Sequence, residues 1–260
     1  MKNLKKRLQN GETLHGCWLN TGSSLTAEIV GMAGFDWVLI DLEHGAGSEK
    51  DVLYQLQALE HTPTAAIVRV ESSESQRIHR VLDMGAEGVM CPKILNPEGA
   101  QKLAHGLHYP PFGGRGVAKM VRATGFGQHF QEYYDNSRDN ILGIAQIETV
   151  EVLNHLHPVA HTDGVDVLFI GPADLSMELG IFGQFDHPMF REAVRETCEA
   201  ARKAGKAVGI LFFNTQEYQA YHELGIRFIA CGSDATFVAE GARTMAKKLN
   251  DLRPPKPGFS

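Results

Sequence analysis

The sequence has little of what marks several protein classes. Its four cysteines, Cys17, Cys91, Cys198 and Cys231, stand far apart with no C-x-x-C pair. That spacing argues against a disulfide framework or a zinc ribbon and for reduced thiols. Positive charge is not in excess: 25 basic against 31 acidic side chains leave a formal net charge of −6. A pI of about 6.0 gives no electrostatic footprint for nucleic acid or an anionic membrane. No apolar run is long enough to span a bilayer, and the basic start MKNLKKRLQNGETLHG has no apolar signal-peptide core. The expectation is a cytoplasmic protein with no membrane or nucleic-acid partner. An early G-x-G-x-x-G is also missing, which weakens the case for an open dinucleotide-binding sheet.

What is present is a regular alternation. With 43% hydrophobic and 22% charged residues, the 260-residue chain has the balance of a globular protein. Short apolar runs at 15–20, 35–44, 65–70, 88–93, 140–149, 164–176, 206–214 and 226–234 each lead into an amphipathic, helix-like stretch. Continuous Val/Ile/Leu/Phe runs alternating with helices are what a parallel sheet covered by helices needs. About eight such strands in a chain of this length predict a single-domain (β/α)₈ barrel over residues 1–252. The doubly wound open sheet is the alternative. The tail RPPKPGFS carries three prolines, cannot continue a helix, and reads as a mobile C-terminal segment over 253–260.

In such a barrel the chemistry sits at the C-terminal strand ends. The polar residues expected there are Asp41, Glu43 and His44 after the second strand and Arg69 on the third. The fifth strand supplies Gln146 and Glu148, the sixth Asp174 and the seventh Asn214. Gln146 and Glu148 are two apart, so strand alternation aims them to one side. Capping or surface roles explain any one of these groups; together they suggest a site.

Those residues lie within D-W-V-L-I-D-x-E-H (36–44), V-R-V (68–70), Y-P-P-x-G-x-R-G (109–116), Q-I-E-T (146–149) and F-I-G-P-A-D-L-S (169–176). The ordered set, from about Leu14 to Leu249, resembles the HpcH/HpaI family of class II pyruvate aldolases. The resemblance implies a phosphoenolpyruvate/pyruvate-type barrel that reversibly cleaves a 4-hydroxy-2-oxo acid to pyruvate (or hydroxypyruvate) and an aldehyde. It implies a divalent metal ion (Mg2+, Mn2+ or Co2+) held by Glu148 and Asp174. The metal would chelate the oxo acid and stabilise the enolate as a Lewis acid. His44 matches the base and Asp83 the acid that raises its basicity. Arg69 matches the cation that meets charge on the keto oxygen, and Gln146 and the backbone near Ala173 match substrate-binding positions. The resemblance also implies a homohexamer whose last helix packs on a neighbouring subunit.

Plainer readings stand beside these. Asp174 suits a helix cap, Asp83 a helix C-terminus, and Arg69 a surface ion pair, although V-R-V embeds it in a buried strand. The histidines of H-L-H-P-V-A-H (155–161) read as a solvated loop on the barrel's stability face. The glycine-rich stretch holding Arg115, Lys119 and Arg122 reads as a loop after the fourth strand, either closing over the mouth or making an oligomer contact. In the first case Lys119 and Arg122 favour a carboxylate-bearing aldehyde, with Leu211 and Phe212 contributing to discrimination. Cys231-Gly232-Ser233 is a weak phosphate cradle because Asp234 adjoins it. Two other functional readings remain: a Schiff-base (class I) aldolase using Lys93, and a non-catalytic barrel that binds an oxo acid.

Overall fold

The inward and outward sides of each strand follow from period-two alternation, and that alternation decides which polar groups reach the interior. The computed structural model describes residues 2–253. Its strands are β1 (Leu14–Leu19), β2 (Trp37–Asp41), β3 (Ala65–Arg69), β4 (Gly88–Cys91), β5 (Leu142–Ile147), β6 (Val167–Ile170), β7 (Ala207–Phe212) and β8 (Phe228–Ser233). All pair in parallel in sequence order, and β8 closes on β1 to complete the barrel. Within β2, Trp37 and Leu39 pack in the lumen while Val38 and Ile40 pack outward under the helices. The same register puts Ala65 and Ile67, Leu142 and Ile144, and Val167 and Phe169 inside. Trp37 stacks on Phe228 at 4.0 Å between ring centroids and meets Phe169 edge-on, filling the lower lumen. The barrel is a packed core rather than a pore.

The helices are α1 (Leu4–Gln9), α2 (Ser24–Gly31), α3 (Glu49–Ala58), α4 (Ser75–Asp83), α5 (Pro97–Leu107) and α6 (Phe130–Asn140). They continue with α7 (Val150–Leu153), α8 (Leu156–Ala160), α9 (Pro172–Glu178), α10 (Pro188–Lys203), α11 (Tyr218–Glu223) and α12 (Asp234–Asp251). Local chemistry starts several of them. Ser23, Asn96 and Ser233 accept the backbone N–H three residues on, and proline opens α5, α9 and α10, where its missing N–H costs nothing. Among the described residues no helix is long and apolar enough to cross a membrane.

Two sequence expectations change place. The stretch with Arg115, Lys119 and Arg122 follows α5, not β4, and leads through α6 into β5. Because α5 carries the chain back to the N-terminal end of the barrel, that stretch lies at the end opposite the mouth. Arg122 is engaged there, donating to the carbonyls of Met84 (2.8 Å) and Leu56 (3.3 Å) and pairing with Glu60. The mouth-closing loop and its basic aldehyde-reading pair are therefore not found within one chain. The 155–161 stretch is helical, forming α8 rather than a loop. Of the proline-rich tail, all but Arg253 lies outside the described residues.

Candidate active site

Continuing each strand's inward register upward brings Asp41, Arg69, Gln146 and Glu148 to the top of the lumen. All four are buried. Arg69 donates from Nε to Asp41 Oδ1 at 2.9 Å and from Nη2 to Oδ2 at 2.8 Å, the two-pronged pairing that fixes a guanidinium plane. Its Nη1 lies 3.1 Å from Glu43 Oε2, and Trp18 lies under the guanidinium at 5.9 Å. Burial works to lower the Arg69 pKa, but Asp41, Glu43 and Glu148 outweigh it and the pKa rises. Asp41 also accepts the backbone N–H groups of Glu43 (3.0 Å) and His44 (3.3 Å), so one carboxylate sets both the arginine and the turn that carries the histidine. Gly45 lets that turn close: a Cβ there would stand 2.1 Å from the Asp41 carbonyl oxygen.

Glu148 lies across the lumen. Its Oε1 accepts the Lys93 backbone N–H at 2.7 Å and its Oε2 accepts Gln146 Nε2. Burial pushes its carboxyl up to about 7; the Lys93 bond opposes this, while the charges of Asp174 and Glu43 add to it. Asp174, in the first turn of α9, is exposed at the rim. Gly171, at an inward position just above β6, makes room: a Cβ there would stand 2.7 Å from Glu148 Oε2 and 2.8 Å from Gln146 Nε2. Ala173 follows in α9, where the first-turn N–H groups have no intrahelical acceptor.

His44 stands at the mouth with its side chain 64% exposed and Nε2 3.8 Å from Glu43 Oε1. The Lys93 side chain is 72% exposed, with Nζ 4.0 Å from the same Glu43 oxygen. Asp83 is not brought to this constellation. It ends α4 at the opposite end of the barrel, where its Oδ1 accepts Arg115 Nη2 at 2.7 Å. Within one chain Asp83 does not meet His44. Asn214, read as a seventh-strand site group, is exposed beyond β7, with its Oδ1 accepting the Gln216 N–H.

Asp41 and Glu43 stand where the sequence places polar strand-end groups, without a role assigned to them there; the structure makes them the partners of Arg69. The alternation that placed Arg69 inward signals Asp41 as well, since the two residues lie side by side in the β2–β3 register.

A divalent cation fits what is present. Glu148 and Asp174 are hard oxygen donors, Asp174 close enough to disfavour the charge on Glu148, beside a space kept open by glycine. Among the described residues no group of three or more His, Cys, Asp or Glu forms a metal cage. A pair of carboxylates leaves coordination positions for oxygen ligands from water and substrate, as suits Mg2+ or Mn2+.

The comparisons agree with this geometry. The HpcH/HpaI aldolase/citrate lyase family model matches residues 14–241. A hydroxypyruvate/pyruvate aldolase of Agrobacterium fabrum is 37% identical over 257 residues, covering 98% of this chain and 96% of that protein. A 4-hydroxy-2-oxo-heptane-1,7-dioate aldolase of Klebsiella pneumoniae is 38% identical over 245 residues, covering 94% and 92%. The crystal structure of an HpcH/HpaI aldolase/citrate lyase family protein from Burkholderia cenocepacia superposes with a TM-score of 0.90 at 36% identity, covering 96% of this chain and 100% of that one. The closed parallel barrel, its mouth and the matched span together establish that this chain belongs to the HpcH/HpaI aldolase/citrate lyase family.

Proposed function

We propose that the protein is a divalent-metal-dependent aldolase that reversibly cleaves a 4-hydroxy-2-oxo acid to pyruvate or hydroxypyruvate and an aldehyde. The observation that carries this reading is the surplus of carboxylate at the mouth: Asp41 and Glu43 pair with the buried Arg69, while Glu148 and Asp174 lie close to each other with no ion-pair partner among the described residues. The two aldolase relatives act on substrates of this class by name, which supports the choice of donor.

Glu148 and Asp174 would hold Mg2+, Mn2+ or Co2+. When bound, the ion supplies a Lewis acid for the oxygens of a 2-oxo acid. Arg69, held by Asp41, faces the keto oxygen and meets the negative charge that develops there; a guanidinium already oriented needs no reorganisation as that happens. The His44 imidazole takes the proton from C3, the C–H electron pair moves into C2–C3, and charge passes to the keto oxygen. In the synthetic direction C3 then bonds to the aldehyde carbon and a proton is delivered to the resulting alkoxide. Gln146 and the Ala173 backbone serve the substrate carboxylate.

Assembly enters through one observation and one implication of the family resemblance. The helix α12 exposes Val238, Met245 and Leu249, and α2 exposes Leu25 and Ile29 with Met32 just past its end, apolar area of the kind a subunit contact covers. The resemblance pairs Asp83 with His44, and since the two residues of one chain lie at opposite ends, that pairing would take the Asp83 of a second copy. Both fit a homo-oligomer, for which the family resemblance gives the hexamer. The four free thiols, three of them buried, fit a reducing cytoplasm.

The exposed Lys93 lacks the desolvation that activates a Schiff-base lysine. Cleavage of a 4-hydroxy-2-oxo acid should stop with EDTA and return with Mn2+, and borohydride with pyruvate should leave Lys93 unmodified. Chelator-insensitive cleavage with a trapped adduct on Lys93 would overturn the reading in favour of the Schiff-base route. No turnover with any metal would favour a binding barrel.

A further inference from the structure

Asp234 is 2% exposed and is the buried residue of α12 among those described. No cation pairs with it among the described residues; hydrogen-bond donors satisfy it instead. Its Oδ1 accepts the backbone N–H groups of Asn20 (2.8 Å), Thr21 (3.3 Å) and Ala235 (2.8 Å). Its Oδ2 accepts the hydroxyls of Thr26 (2.7 Å) and Thr21. A carboxylate in the first turn of an 18-residue helix also lies at the favourable end of the helix dipole. Removing such an acceptor from a buried site leaves several donors unpaired at once.

The residue that Asp234 holds leads to the active site. Asn20 follows β1 at the mouth. Its Nδ2 donates to Asp41 Oδ2 at 2.9 Å, the oxygen that also receives Arg69 Nη2. Its carbonyl accepts the Ala46 N–H at 2.8 Å, tying the same residue to the turn that carries Glu43 and His44. A chain of hydrogen bonds therefore runs from α12 through Asp234, Asn20 and Asp41 to Arg69. Asp41 already accepts two bonds from Arg69, and the Asn20 amide sets the plane in which it does so.

We infer that Asp234 is a positioning residue for the aldol reaction, orienting Arg69 and the His44 turn through Asn20 and Asp41. The inference rests on the reading proposed above, in which Arg69 meets the developing charge. Small misplacements of a charge-stabilising group lower turnover more than ground-state binding.

The test compares Asp234→Asn and Asn20→Ala with Thr26→Val, which removes a bond from the other oxygen of Asp234. The readout is pyruvate methyl-proton exchange in D2O at saturating Mn2+. Each of the first two variants should lower kcat about 10-fold with KM within about threefold. The double variant should fall no further than the worse single, because both cut one chain. Thr26→Val should lower Tm and leave kcat within about twofold. A second readout does not depend on catalysis: the Nε–H resonance of Arg69 should shift or broaden in Asp234→Asn and Asn20→Ala only. Reduced Tm with kcat and the Arg69 resonance unchanged would make Asp234 a helix anchor and overturn the inference, as would lost turnover with an unchanged resonance. Should Asp234→Asn fail to fold, Asn20→Ala decides. A wild-type protein with no exchange would sink the functional reading, while the Arg69 resonance would still decide the role of Asp234.

Discussion

Arg69 and Arg115 are both buried and both pair with an aspartate, and they sit at opposite ends of one barrel. Arg115, 1% exposed, donates to Asp83 and to the Tyr133 hydroxyl at 3.0 Å, with its guanidinium carbon 4.7 Å from the Tyr109 ring and 5.3 Å from Tyr133. One acid and two aromatic faces match one cation, and nothing of one sign is left over. Arg69 has Asp41 and Glu43 in direct contact and Glu148 nearby, so carboxylate exceeds cation there even with the exposed Lys93 ammonium 4.0 Å from Glu43. Unpartnered buried atoms occur at both ends: Gln146 Oε1 at the mouth, Arg115 Nε and His108 Nδ1 toward the base. An orphaned atom therefore does not single out a site in this fold. The uncompensated charge does, since isolated buried charge is costly and persists where a ligand or ion is to balance it.

The contrast assigns the two ends different sensitivities. At the mouth, Glu148→Gln should lower Mn2+-supported methyl-proton exchange at least about 10³-fold, on the order of 4 kcal/mol, with the fold intact by circular dichroism. Full activity in that variant would remove Glu148 from the ligand set. At the base, Arg115→Met should act first on stability, costing about 3 kcal/mol because Asp83 loses its cation. For a chain of this length that is a fall in Tm of roughly 6–12 °C by calorimetry; an unchanged Tm would mean that the cluster contributes nothing net.

Arg69→Lys keeps the charge and loses the two parallel donors. Exchange should fall about 10²-fold while Tm moves by no more than about 3 °C. A variant as active as wild type would show that charge alone suffices.

The smallest effect concerns pH at the base. Burial, followed by the charges of Lys5 and Arg138, pushes the His108 pKa down to about 4. An unfolded chain therefore binds this proton below pH 6.5 while the folded chain does not, so stability is full above about 6.5 and is lost as pH falls toward 4. At pH 5 the loss is about 2 kcal/mol. His108→Gln should flatten that limb in urea titrations; an identical slope would place the acid sensitivity elsewhere.

How far the sequence revealed this follows from the range over which each feature acts. The eight strands announce themselves locally, as apolar runs set between amphipathic stretches, and alternation within a strand is enough to aim Arg69, Gln146 and Glu148 inward. Glu148 and Asp174 also stand in runs of ordinary strand and helix chemistry, so their chemical role came from the family resemblance rather than from spacing. Asp83 and the 108–129 stretch were harder. Their end of the barrel depends on counting the helix that carries the chain back down, and a loop counted from β4 without α5 lands at the wrong end. Asn20 and Asp234 were beyond sequence reasoning. They are 214 residues apart and meet because β8 closes on β1, a contact that no local pattern encodes.

In the proposed reaction the carboxylate surplus at the mouth is the seat of metal-dependent enolisation. Deuterium incorporation into the pyruvate methyl group, followed by NMR without any aldehyde, tests it most directly. Incorporation should occur with added Mn2+ or Mg2+, stop with EDTA, and recover when the metal is returned. Incorporation that EDTA leaves untouched, or none with any metal supplied, would contradict it.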